Sequence, residues 1–285
     1  MSRLIAYSLS ITHFLWSLSL LLEPWRYSAK SVAPQLLALL HIITAVLLLA
    51  SKTAILGGSI SAAILTYYWI WVKPIEPIAE PQSVGIIAIS TIFLIPYLHR
   101  ILGSPLAGGD TALLLLRLGV AYPFVEWGLD AFRNPAHFIA FFSSNIVTRA
   151  IIPVEYMLPA SYVLGVFELV VALSLVLGIA PRASAVASFT SLVVFSAIAG
   201  YPLALPQNIA LAAASLYIYK RGAGRYSAQA IRLSRVMEKV LKGVFWLGLG
   251  QTNQPQENPT RTGLSNFVTD PHIGVLTCVV FHGHT

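Results

Sequence analysis

The run 157–179 reads MLPASYVLGVFELVVALSLVLGI and carries a single ionisable side chain, Glu168, near its middle. A helix needs about 20 apolar residues to cross the hydrocarbon core of a bilayer, and this run is long enough. An ionised group at that depth is costly, so such residues are rare and usually have a function or a partner. The run therefore places at least one helix of this chain in lipid and singles out Glu168.

Seven other segments have a similar length and apolar composition, which predicts an all-α polytopic transmembrane helix bundle of about eight spans. Only 10% of the 285 residues are charged and 56% are hydrophobic, whereas soluble domains carry about 25% charge. The alternating pattern of a membrane barrel is absent, and helices satisfy their backbone groups within one segment. The predicted spans are 4–22, 33–51, 54–72, 84–102, 111–129, 157–179, 183–202 and 205–219.

The formal net charge of +7 is better explained by basic residues at the cytoplasmic ends of spans than by nucleic-acid binding. Arg3, Lys52, Arg100 and Arg182 fall at one set of span ends, together with the basic cluster within 220–242. The opposite loops mix basic and acidic residues. We expect a multi-pass protein of the cell membrane with both termini in the cytoplasm, the lipid bilayer as its main partner and no nucleic acid.

Cysteine and histidine content argues against a metal centre. Cys278 is the single cysteine, so one chain cannot form a disulfide or a multi-cysteine cluster. His13 and His41 lie inside the first two spans and raise the possibility of bis-histidine haem ligation. Their depths differ by about 5 Å on the helical rise, which favours hydrogen bonding within the bundle over haem. We expect no haem and no metal.

The order of spans and turns divides the chain into four regions: 1–104, an N-terminal four-span bundle; 105–227, a second four-span bundle; 228–250, a basic amphipathic cytoplasmic helix; and 251–285, a flexible tail. PWRY (24–27) and PVEY (153–156) each precede a span, about 129 residues apart, and Lys52 and Arg182 then fall at equivalent turns. This spacing is typical of a parallel repeat. The first half is either a degenerate copy of the second or an unrelated partner bundle.

Two features of the second half are candidates for function. Arg117 lies inside the run 111–129, at roughly 10 Å from the inner end by the helical rise, and Glu168 lies roughly 17 Å from the same end. We expect these two side chains to be coupled, either as a pocket for a quinone or a proton, or as an ion pair that orients two helices. In the loop 130–156, the stretch PAHFIAFFSSNIVTRAII predicts a helix that lies at the outer surface or covers the bundle.

The second half resembles the DoxX/DoxD family of small four-helix membrane proteins over about residues 111–229. The matching pieces occur in order: LLRLGV (115–120), GVFELVVALSLVLGIAPRASA (165–185), the polar Asn208 of the last span and GAGRYS (222–227). Glu168, Gly178 and Arg182 stand at the family's spacing of acid, glycine and basic turn.

This resemblance implies an integral membrane subunit of a quinone-linked oxidoreductase, similar to the DoxD subunit of thiosulfate:quinone oxidoreductase. Glu168 and Arg117 would then be the catalytic pair, and Arg117, Glu168, Asn208 and Arg182 would bind the quinone cofactor. Electrons would enter from a second subunit of a redox complex. Two alternatives stay open: a transporter or permease-like module in which Glu168 and Arg117 line a substrate or proton path, and a non-catalytic membrane scaffold.

Overall fold

In the computed structural model, the chain is described at residues 3–24, 33–72, 80–102, 109–202 and 204–232. These residues form helices and turns, and no strand occurs among them. The predicted helix 228–250 extends beyond the described residues after 232, and the predicted tail 251–285 lies wholly outside them.

Every predicted span coincides with helix. In order, the helices are α1 (Arg3–Leu22), α2 (Pro34–Leu49), α3 (Ala54–Tyr67), α4 (Glu80–Thr91), α5 (Ile95–Leu102), α6 (Gly109–Arg133), α7 (Pro135–Ser144), α8 (Ile146–Ile151), α9 (Met157–Leu177), α10 (Pro181–Ala199) and α11 (Leu205–Arg221). A π-helical turn, Tyr68–Val72, extends α3, and a 3-10 turn, Ile92–Leu94, joins α4 to α5. Residues Val154–Tyr156 form a 3-10 turn that leads into α9.

Helix length and composition support a multi-pass membrane protein. Among the described residues, five helices are long and apolar enough to cross a membrane: Arg3–Leu22, Pro81–Leu98, Gly109–Arg133, Val154–Leu177 and Pro181–Ala199. Two apolar helices, Pro34–Leu49 and Ala54–Ile70, are shorter. The all-α class is confirmed, and five of the predicted crossings meet this length and composition.

The helices are apolar on the outside and carry polar groups inside. On α9, Val163 and Leu173 are exposed on the surface, whereas Ser161 and Glu168 are fully buried. Such a distribution would be unstable in water and is the one expected where lipid contacts the outer faces of a bundle.

The two halves of the bundle repeat one packing pattern. Helix α1 packs on α2 as α6 packs on α9, and α3 packs on α4 as α10 packs on α11. Across the halves, α4 packs on α6 and α11 packs on α1, while α4 and α11 contact each other. Exchanging the halves therefore maps these pairs of helices onto one another, whereas the packing of α11 on α6 and of α7 on α9 has no comparable counterpart among the described helices of the first half.

The buried positions follow the same exchange. Within each pair of corresponding helices, one constant shift in residue number superposes buried residues on buried residues. The pairs include His41 with Glu168, Leu48 with Leu175, Ser61 with Ser188, Gln82 with Gln207 and Ser90 with Ser215. The helical periodicity of both halves thus faces the core in the same register, as a duplicated four-helix unit would.

Candidate functional site

A cavity of about 250 Å³ lies in the second half, near the end of the bundle where α6 passes into α7. We call this end the α7 end and the opposite end, where α9 turns into α10, the Gly178 end. The cavity is lined by Gln82, Trp127, Asp130, His137, Phe138, Phe141, Glu168, Phe195, Ala199, Ala204 and Asn208. Aromatic rings form most of its apolar wall, and polar groups lie at its depth and at its mouth.

Helix α7 lines this cavity with His137, Phe138 and Phe141, and α8 follows it along the chain. Pro135 opens α7, where its missing N–H costs nothing. The side chain of Asn145 caps α8 by accepting from the backbone N–H of Val147 at 2.9 Å, and its amide donates to the carbonyl of Ile198 at 2.9 Å. The segment of α7 and α8 is therefore tied to α10, and the helix that the sequence predicted for this loop forms one wall of the site.

Glu168 lies deep in the cavity and has no hydrogen-bond partner among the described residues. It is fully buried on α9, about 17 Å from the α7 end of that helix by the helical rise. Both carboxylate oxygens lack a partner, as do Oε1 of Gln82 and Oδ1 of Asn208. All four atoms are hydrogen-bond acceptors, and a buried polar atom without a partner costs about 1–3 kcal/mol.

The mouth of the cavity carries a second polar group. Nδ1 of His137 lies 3.0 Å from Oδ2 of Asp130, and Asn134 donates to Oδ1 of the same carboxylate at 3.1 Å. The His137 side chain is 70% exposed, so the cavity reaches the surface at this end. Sequence reasoning did not predict that His137 lies at the mouth of a cavity.

Arg117 does not reach Glu168, so the predicted ion pair is wrong. Its Nη2 donates to the backbone carbonyl of Tyr226 at 2.5 Å, on the Gly178 end of the bundle. In a helix, side chains lean toward the N-terminus of their own helix. Helices α6 and α9 run in opposite directions, so Arg117 leans toward the Gly178 end and Glu168 toward the α7 end.

The segment 222–227 closes the Gly178 end around Arg117. Gly178 ends α9 in the left-handed conformation, with φ +65°, and a β-carbon there would lie 2.0 Å from Nη1 of Arg117 and 2.5 Å from the β-carbon of Ser227. Oδ1 of Asp110 accepts from the backbone N–H of Arg225 at 3.1 Å, and Oδ2 pairs with its Nε at 3.3 Å. We call this arrangement the Arg117 clasp. It explains why Gly178 and the G-x-G-R-x-S segment at 222–227 occur in the same chain.

Of the residues predicted to bind a cofactor, the structure brings two together. Glu168 and Asn208 line the same cavity. Arg182 lies instead beside a groove at the Gly178 end, next to Pro181 and Gly224. Gln82 and Phe195 also line the cavity and were not predicted, because nothing in their local sequence distinguishes them from other buried helix residues.

The histidines of the first half also occupy a defined place. Nδ1 of His13 lies 2.7 Å from Nδ1 of His41 in the core. This contact confirms hydrogen bonding within the bundle, the interpretation that the sequence favoured over haem. No group of three or more metal-ligating side chains occurs in the described part of the chain. The three histidines near the end of the sequence, His272, His282 and His284, lie outside the described residues.

Comparison with known proteins agrees with the resemblance seen in the sequence. The DoxX family model matches residues 112–200, which span α6 to α10. A comparison with curated proteins and one with solved structures each gave no match. The second half of this chain is therefore similar to the DoxX family over residues 112–200.

Proposed function

We propose that the protein is the membrane subunit of a quinone-linked oxidoreductase, and that the cavity around Glu168 binds the quinone ring in its hydroquinone state. The observation that carries the proposal is the set of four partnerless acceptor atoms on Glu168, Gln82 and Asn208. A hydroquinone has two O–H donors on an apolar ring, which suits both these acceptors and the aromatic wall. A bound quinone would supply the two-electron, two-proton chemistry.

The chain's own contribution is to orient the ring and to hold a proton. Trp127, Phe138 and Phe195 offer flat apolar contact, while the carboxylate and the two amides fix the position of hydroxyl groups. An ionised Glu168 accepts from a hydroxyl, and a protonated Glu168 can donate to a carbonyl oxygen instead. The same side chain therefore suits both oxidation states of the ring and can move one proton at Oε1 or Oε2.

The polar mouth supports exchange of that proton with water. His137 and Asp130 lie at the exposed end of the same cavity, and each can take up and release protons there. Arg117 has no part in this chemistry in our proposal, because its side chain is held in the clasp at the opposite end. Electrons would arrive from a second subunit of the complex.

The proposal is tested by comparing two ligands that share one ring, of which one has two O–H donors and the other has methyl groups in their place. The full chain in lipid nanodiscs would be titrated with a short-tailed hydroquinone and with its dimethyl ether. We expect the hydroquinone to bind at least about tenfold more tightly, because each good hydrogen bond to a buried group contributes about 1–3 kcal/mol. Asn208→Leu should weaken hydroquinone binding, whereas Arg182→Gln, at the other end, should not.

Equal binding of the ether, or binding of neither compound to folded protein, would contradict the proposal. A transporter is the second candidate, since a carboxylate at the depth of a cavity that reaches the surface also suits a coupled solute path. That function predicts flux of a solute into liposomes that depends on Glu168, without selective binding of the hydroquinone.

A further inference from the structure

The first half of the chain contains a buried chain of hydrogen-bonded side chains that the proposed function does not use. The phenol of Tyr68 lies 3.2 Å from Nε2 of His41, and the two histidines meet through their Nδ1 atoms at 2.7 Å. Nε2 of His13 lies 2.7 Å from the hydroxyl of Ser61, which lies 2.7 Å from that of Ser90. All five side chains are buried.

Each of these five groups can both donate and accept a hydrogen bond, which allows two orders of the whole chain. In one order, Ser61 donates to His13, His13 donates through Nδ1–H to His41, and His41 donates to Tyr68. In the other order every bond is reversed, beginning with Tyr68 as donor to His41. The Nδ1 to Nδ1 contact holds one proton, and moving it across the 2.7 Å contact together with the protons that flank the pair changes the tautomer of both rings.

Changing from one order to the other carries one proton along the chain. A proton added to the Tyr68 oxygen shifts each bonded proton by one place, and a proton is released from the Ser90 hydroxyl to an acceptor. This transfer starts from the order in which Tyr68 donates to His41 and ends in the order in which Ser61 donates to His13. No electron moves, no covalent heavy-atom bond breaks, and the reverse transfer restores the starting order. In the relay that we infer, water molecules supply and accept the proton at the two ends.

The second half has a different arrangement at the corresponding positions. The register that pairs the two halves places Phe124 opposite His13, Glu168 opposite His41 and Phe195 opposite Tyr68. Only the serine contact is kept, between Ser188 and Ser215 at 3.0 Å. The second half thus has a cavity around the Glu168 carboxylate. In the first half, the hydrogen-bonded side chains around His13 and His41 occupy the corresponding place.

The residues around the histidine pair hold this series of hydrogen-bonded side chains in a fixed path. The buried ring of Trp16 packs edge-on against both imidazoles, with ring centroids 5.5 Å from His13 and 5.6 Å from His41. A core made only for packing would need no group able to reverse its hydrogen bond. We propose that Tyr68, His41, His13, Ser61 and Ser90 form a proton relay within the first half of the bundle.

The relay is tested by hydrogen exchange at the shared proton. The full chain, labelled with 15N-histidine and placed in nanodiscs, would be transferred to D2O while the ring N–H signals are followed by NMR. Signals of the pair are those lost in both His13→Phe and His41→Gln. We expect their exchange to be at least about tenfold faster than that of backbone amides in α1 and α2, because a relay connects the core to water without unfolding.

The double variant Tyr68→Phe with Ser61→Ala removes the two oxygens that flank the histidine pair and should slow this exchange at least about tenfold. Ser188→Ala, at the position in the second half that corresponds to Ser61, is the matched control and should leave the rate unchanged. Two results would overturn the relay: wild-type ring protons as protected as the neighbouring amides, or unchanged exchange in a folded double variant. The hydroquinone titration is independent of both results.

Discussion

Gly178→Ala tests the Arg117 clasp, because the added methyl would occupy the place of the guanidinium. The left-handed conformation at φ +65° costs an L-residue about 1–2 kcal/mol. A β-carbon at 2.0 Å from Nη1 must also displace Arg117, and losing a hydrogen bond from a buried charged group costs about 1.5–3 kcal/mol. Together these predict a loss of about 2.5–5 kcal/mol in the free energy of unfolding.

The assay is reversible unfolding in mixed micelles, followed by circular dichroism. Gly109→Ala is the matched control, since a β-carbon there would meet nothing within 4 Å, and it should change the free energy of unfolding by less than about 0.5 kcal/mol. Gly178→Asn separates the two causes, because asparagine tolerates the left-handed region but still carries a β-carbon. A Gly178→Ala protein as stable as the Gly109→Ala control would refute the clasp.

Three further predictions follow from the packing. Arg117→Gln and Glu168→Gln should have effects on unfolding free energy that add within about 0.5 kcal/mol, since the side chains do not meet; a larger coupling energy would show that they do. Gly119→Ala should lower the stability by about 1–3 kcal/mol, because its β-carbon would lie 2.7 Å from the carbonyl oxygen of Gly85 where α4 crosses α6; thermal unfolding unchanged from wild type would contradict this. For topology, a cysteine introduced near position 78 should be labelled from outside intact cells and one near position 226 should not, and the reverse pattern would invert the predicted orientation.

Sequence reasoning located the helices because membrane-length apolar runs leave few alternatives. The run 157–179 became helix Met157–Leu177, and even the loop 130–156 gave helices, of which α7 lines the cavity. It also selected Glu168, since ionisable residues inside spans are rare enough to stand out, and the family resemblance added Asn208.

The pairing of side chains was harder to predict. The estimated depths of Arg117 and Glu168 differ by roughly 7 Å, which a long arginine side chain could bridge, but depth alone ignores the direction in which side chains lean on antiparallel helices. Hydrogen bonding of His13 and His41 within the bundle was predicted, but a depth difference of about 5 Å did not indicate that the two rings meet directly, with their Nδ1 atoms 2.7 Å apart. Contacts such as Gln82 with the cavity depend on packing across the two halves, which one sequence does not specify.

The central claim is that the quinone ring occupies the cavity at the α7 end. Photolabelling tests it most directly, using a quinone with a photoreactive group on its ring, the full chain in nanodiscs and peptide mapping by mass spectrometry. We predict labels within 127–141 and at or near Phe195, all removed by an excess of the unmodified hydroquinone. Labels confined to the groove beside Arg182 and Gly224, or to the first half of the chain, would contradict the account.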